Sequence, residues 1–154
     1  MTISKYKYNW VLVDELAISK APVTEEALKL LKKDNIQCIL SLCGDDEREI
    51  PSLYLKGFKR IIVELPDHRQ NKLPRLEDLK LALNSLEELI KVGPTLIHCV
   101  EAIERSPMVS ILWIMKTKKL DFYTSLNYMM GVHKATNPTS QQLEFLLKNY
   151  PNLF

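Results

Sequence analysis

Residues 95–119 read TLIHCVEAIERSPMVSILWIMKTKK, and the change of pattern inside this stretch decides the fold. Thr95–Val100 is a short, almost uninterrupted apolar run, the composition of a strand buried on both faces. Glu101–Arg105 is turn-like, and a strongly apolar helix is predicted from Ser106. Pro107 is tolerated near the start of that helix because the first-turn amides have no intrahelical acceptor. Working outward, IQCILSLC (36–43) and RIIVEL (60–65) repeat the buried-strand pattern, and Asn9–Ile18 suits one or two short strands. Thr24 is placed to cap TEEALKLLKK, with Glu25 and Glu26 at the positive end of the helix dipole and Lys32 and Lys33 at the negative end. From Leu76, the spacing of Leu79, Leu83, Leu86 and Ile90 predicts a second helix that stops at Gly93-Pro94. DFYTSLNYMMGVHKA (121–135) and SQQLEFLLKNY (140–150) read as two more amphipathic helices. Buried strands separated by helices predict an α/β fold: a mainly parallel central sheet flanked by helices on both faces.

The 154 residues fit one domain, residues 1–154, without repeats, low-complexity tracts or a Gly/Ser linker. A hydrophobic fraction of 46% with 26% charged residues argues against disorder. With 21 basic and 19 acidic residues the net charge of +2 gives no reason to expect a nucleic-acid partner. No run reaches the roughly 18–20 apolar residues of a membrane span, and MTISKYKYNW lacks the apolar core of an export signal. Three cysteines, Cys38, Cys43 and Cys99, are too few for a disulfide framework and odd in number. A reduced cytoplasmic protein that meets no membrane is the expectation. No Cys/His spacing resembles a zinc site, so neither metal nor cofactor is expected.

In parallel-rich α/β sheets ligands sit where strands end and helices begin, which directs attention to His98-Cys99-Val100-Glu101-Ala102-Ile103-Glu104-Arg105-Ser106-Pro107. A short loop entering a helix N-terminus turns successive amides, here those of Val100 to Arg105, inward as an anion nest. Arg105 can add a bidentate clamp on two oxygens of a phosphoryl group. The same positive field favours the thiolate of Cys99, placed for in-line attack on bound phosphate. The Ser106 hydroxyl can donate to that sulfur, and His98 is expected to support the loop by hydrogen bonding. Cys38 and Cys43 have no arginine in the matching register and read as inert buried thiols.

A departing oxygen also needs an acid, and Asp67, in the polar loop LPDHRQNKLP after a strand, is the best candidate. His68, Arg69, Lys72 and Arg75 make that loop basic, which suits either an anionic substrate or simple solvation. Asp45, Asp46 and Glu47 form an alternative acidic loop that reads rather as a solvated surface turn. Trp113, Met115, Tyr128, Met129 and Met130 read as core or helix-packing residues, and His133 and Asn137 as structural.

HCVEAIERSP resembles the His-Cys-x5-Arg-Ser signature of the cysteine-dependent protein tyrosine phosphatases, and its Ser-Pro ending resembles the dual-specificity branch. The resemblance extends to NWVLVDELAIS, ILSLC, SPMVSILWIMKTKKL and NPTSQQL, most of the chain. It implies a phosphatase-type loop between strand and helix, a cysteine nucleophile, and phosphomonoester hydrolysis on a phosphorylated protein. It also implies a general acid about thirty residues before the nucleophile, and Asp67 stands 32 residues before Cys99. The chain departs from the family at Ala102, where most members carry glycine. A positive φ there would cost an alanine on the order of 1 kcal/mol and strain the nest. The residues leave two alternatives open: a phosphate-binding module with little turnover, and a phosphatase for a phosphoinositide, a glucan or an RNA 5′ phosphate.

Overall fold

Five strands form one sheet in the order β1-β2-β5-β3-β4, where β1 is Asn9–Leu12, β2 Leu16–Ser19, β3 Cys38–Ser41, β4 Lys59–Ile62 and β5 Thr95–His98. The computed structural model describes residues 5–154; residues 1–4, part of the stretch read above for an export signal, lie outside the described residues. Only β1 runs antiparallel to its neighbour, and β2, β5, β3 and β4 are mutually parallel. The central strand is therefore β5, which ends at His98, immediately before Cys99. Its register sets His98 level with Ser19 on one side and Ser41 on the other. The loops after β2, β3 and β5 consequently leave the sheet side by side, at the edge where such folds build sites.

Five α-helices accompany the sheet: α1 Glu25–Lys33, α2 Leu76–Val92, α3 Arg105–Lys118, α4 Phe122–Val132 and α5 Ser140–Asn149. Thr24 does cap α1, its side chain accepting from the Ala27 amide at 3.1 Å. Alternation along the strands divides the core in two. Ala17, Ile39 and Leu96 pack with Leu28 and Leu31 of α1. Ile18, Leu40 and Ile97 point the other way, into a larger cluster with Leu83 and Leu86 of α2 and Ile111 and Leu112 of α3. Residues Arg105–Met115 of α3 are all buried, so its N-terminus is held deep in the protein, next to β5. No described helix is long and apolar enough to cross a membrane.

Two expectations need correction. β4 is an edge strand with Ile62 44% exposed, so RIIVEL is not buried on both faces. Burial comes from Val63 and Leu65, past the end of the strand. Trp113, Met115 and Met129 are core, but Met130 is exposed, and Tyr128 reaches the surface while its hydroxyl donates to the Val11 carbonyl.

Candidate active site

The loop between β5 and α3 spends its carbonyls on the scaffold. The Val100 carbonyl accepts from the Ala21 amide at 3.1 Å, and the Ile103 carbonyl from the Asn137 amide at 2.7 Å. The Ala102 carbonyl accepts from His133 Nε2 at 2.7 Å, while His133 Nδ1 accepts from the Asn9 side-chain amide at 2.8 Å. Among the described residues, by contrast, no backbone amide from Val100 to Arg105 donates to a protein acceptor. A bend with its carbonyls tied outward and its N–H groups unpaired at a helix N-terminus has the hydrogen-bonding balance of an anion nest.

Ala102 stands in that bend with φ +57°. This is the left-handed region, where an alanine costs on the order of 1 kcal/mol. The bonds from His133 and Asn137 on either side of the Ala102–Ile103 peptide hold the conformation against that cost. Alanine therefore strains the bend without opening it.

Cys99 is buried at the floor of the bend, its Sγ 3.1 Å from the Ser106 hydroxyl. Behind it, His98 Nδ1 faces the Cys99 carbonyl at 2.9 Å, which can only accept, so the proton is on Nδ1. Nε2 then accepts from the Ser41 hydroxyl at 2.6 Å, and Ser41 in turn accepts from Arg60 Nε at 2.9 Å. Burial pushes the His98 pKa down to about 4, so the ring is neutral at physiological pH. Since an unfolded histidine titrates near 6.5, stability linked to His98 is complete above that pH and is lost as pH falls from 6.5 towards 4. Denaturation midpoints across this window should fall more steeply for wild type than for His98→Gln, by on the order of 2–3 kcal/mol in total. Parallel pH profiles would contradict the neutral buried ring.

Arg105 is 2% exposed, and its guanidinium is braced by Glu47, with Nη1 and Nη2 donating to the two carboxylate oxygens at 2.9 and 2.8 Å. Nη1 also reaches the Leu65 carbonyl at 3.3 Å. Nε is buried and without a partner, so the donor edge not engaged by Glu47 remains for an oxyanion. Glu47 belongs to the run expected to be a solvated turn. Removing it should free the guanidinium to rotate, so Glu47→Gln is expected to lower kcat/KM for an aryl phosphate about tenfold. Unchanged kinetics would mean that the Leu65 carbonyl alone positions Arg105.

Asp67 caps a short 3-10 turn, His68–Gln70, and is 7% exposed beside the bend. Its carboxylate accepts from Arg69 Nε and Nη2 at 2.8 and 2.6 Å, and lies 3.9 Å from Arg105. Burial would raise its pKa, but the side-chain and backbone bonds from Arg69 and the charge of Arg105 outweigh it and hold the carboxyl at about 2. Glu104, also buried, ties the acid loop to the bend: it accepts from the His68 amide at 2.9 Å and faces His68 Nδ1 at 2.7 Å. Glu104 thus braces the acid loop, and Glu47 braces Arg105. Asp67, Cys99, Arg105 and the bend line one cavity of about 280 Å³.

No model of a known protein family matches the sequence, and no curated protein does. Solved structures do match in three dimensions. Tk-PTP in its active form superposes with a TM-score of 0.81 at 21% identity, over 96% of this chain and 97% of that one. The human tyrosine phosphatase-like serine/threonine/tyrosine-interacting protein gives 0.80 at 18%, over 97% and 98%. Kinase associated phosphatase, with serine in place of its catalytic-site cysteine, gives 0.81 at 16%, over 97% of each chain. The fold is that of the tyrosine and dual-specificity phosphatases.

On this phosphatase fold the cavity carries one further arrangement. Among the described residues, ligating atoms of Asp67, His68 and Glu104 lie within 4.8 Å of one another, the one set able to hold a metal ion. The same atoms are already used: His68 Nδ1 sits between the two carboxylates, and Arg69 and Arg105 place positive charge on Asp67. A cation would have to displace His68 from between the two carboxylates and oppose both guanidiniums, so the set works as a hydrogen-bonded brace. Of the four loop cations, three have carboxylate partners and Lys72 has none among the described residues. Arg69 is paired with Asp67, His68 lies between Asp67 and Glu104, and Arg75 is paired with Asp78, so these three serve local carboxylates. Buried Cys38 donates to the Leu89 carbonyl, and burial pushes the Cys43 thiol up to about 12, well away from thiolate chemistry.

Proposed function

We propose that this protein hydrolyses phosphomonoesters on phosphorylated proteins through a phosphocysteine at Cys99. The observation that carries this reading is the set of unpaired amides from Val100 to Arg105 around a buried cysteine, with the Nε edge of Arg105 beside it. Three phosphoryl oxygens seated in that nest would bring phosphorus over Sγ. The thiolate of Cys99 attacks phosphorus, the P–O bond to the leaving group breaks, and Asp67 supplies a proton to the departing oxygen. In the second half, the Asp67 carboxylate takes a proton from water, whose oxygen attacks phosphorus while the P–S bond breaks. Ser106, donating to Sγ, stabilises the sulfur as it leaves.

Asp67 is ionised in the resting protein, a state that serves the second half directly. For the first half its carboxyl must gain a proton, which a phosphate dianion bound next to it favours by charge repulsion. The same ion pairing supports a second reading, a phosphate-binding module that turns over slowly because Asp67 stays bound to Arg69. Hydrolysis of p-nitrophenyl phosphate in the presence of EDTA, with inhibition by vanadate, tests the proposal. Vanadate-sensitive turnover is expected. Tight phosphopeptide binding without turnover would favour the second reading.

A further inference from the structure

A second cavity, of about 390 Å³, adjoins the first and shares Val100 and Glu101 with it as a common wall. Four cations from three segments converge on it: Lys5 and Lys7 from the stretch before β1, Lys20 just after β2, and Arg48 from the loop that follows β3. Among the described residues, none of these four is within 4.0 Å of a carboxylate. Two carboxylates, Glu26 and Glu101, also line the cavity, leaving cations in excess. The contrast with the acid loop matters. His68, Arg69 and Arg75 are engaged by their own neighbours, leaving Lys72 as the acid-loop cation without a carboxylate partner among the described residues, whereas four unpaired cations share the cavity on the opposite side of the wall. Unpaired like charges held near one another repel, and an anionic ligand relieves that repulsion.

Resting on the phosphatase reading above, we propose that this cavity is a specificity subsite that holds acidic side chains flanking the phosphorylated residue of a peptide substrate. The shared wall supports it: a chain whose phosphate occupies the Cys99 nest needs only to cross Val100 and Glu101 to bring its next residues among the four cations. A folded partner or a lipid headgroup is not needed for this recognition, since carboxylates on an extended segment suffice.

Two phosphotyrosine peptides, identical except for glutamates or alanines on both sides of the phosphotyrosine, test the subsite. In low salt the wild type should show about tenfold higher kcat/KM for the glutamate peptide, a preference that shrinks as ionic strength rises. The double variant Lys20→Glu/Arg48→Glu should lose that preference, and Lys20→Gln/Arg48→Gln should reduce it. Both should keep kcat/KM for p-nitrophenyl phosphate, too small to reach the second cavity, within about twofold of wild type. Equal rates on the two peptides, or a preference that survives charge reversal, would overturn the proposal. So would an effect of charge reversal confined to phosphoinositide vesicles. If p-nitrophenyl phosphate is not turned over at all, it is the hydrolase reading that fails. The Kd values of the Cys99→Ser protein for the two peptides then still decide the subsite.

Discussion

Cys99→Ser is expected to lower turnover of aryl phosphates by at least about 10³-fold while leaving phosphate affinity close to wild type. The asymmetry follows from the division of labour in the bend. In the proposed mechanism affinity comes from the amides of Val100 to Arg105 and from the guanidinium of Arg105, none of which the substitution touches. A serine hydroxyl differs from the thiol it replaces in acidity, and the attacking species is the anion. The new hydroxyl keeps Ser106, which stands 3.1 Å from Sγ in the wild type, as its neighbour but finds no base to remove its proton. Steady-state kinetics alongside vanadate or phosphopeptide binding by calorimetry checks both halves. Retained turnover with purified protein would remove Cys99 from the mechanism.

Asp67→Asn is expected to slow hydrolysis by about 10²–10⁴-fold, the usual worth of a positioned acid. The size should depend on the leaving group. Phenyl or tyrosyl phosphate, whose oxygen departs poorly without a proton, should suffer more than p-nitrophenyl phosphate. It should also depend on pH. The wild-type advantage is largest on the acid side, where the carboxyl carries its proton in the substrate complex, and narrows as pH rises. Neither dependence is expected if Asp67 only stabilises the turn before His68. A rate within about twofold of wild type on phenyl phosphate would place the acid elsewhere.

Much of this molecule is legible along the chain because the decisive relations are local. Cys99, Arg105 and Ser106 lie within one loop and the first turn of α3, so their spacing, set between a buried strand and a helix start, forecasts a nest. Thr24, Gly93 and the leucines of α2 mark helices through capping and periodicity, which short windows contain. What escapes is tertiary. The partner of Arg105 is Glu47, 58 positions away, and only the β5-β3 pairing brings their loops together. Taken alone, the run Asp45–Glu47 is hydrophilic and reads as surface. A usable signal existed nonetheless: an arginine at the start of so apolar a helix must be buried, and a buried guanidinium needs a carboxylate from a neighbouring loop. RIIVEL misled because an apolar run records residue type and not position in a sheet, and β4 lies at the edge. The cations of the second cavity escaped for the same reason as Glu47, since Lys5, Lys7, Lys20 and Arg48 meet only in three dimensions.

The most direct test is to quench a reaction of the Asp67→Asn protein with an aryl phosphate in acid within its first turnover, then map the phosphoryl group by mass spectrometry. Loss of the carboxylate that activates water should let the intermediate accumulate, with the phosphoryl group on the peptide that contains Cys99. Product released with no phosphorylated Cys99 peptide at any quench time, or phosphate found on another side chain, would contradict the account.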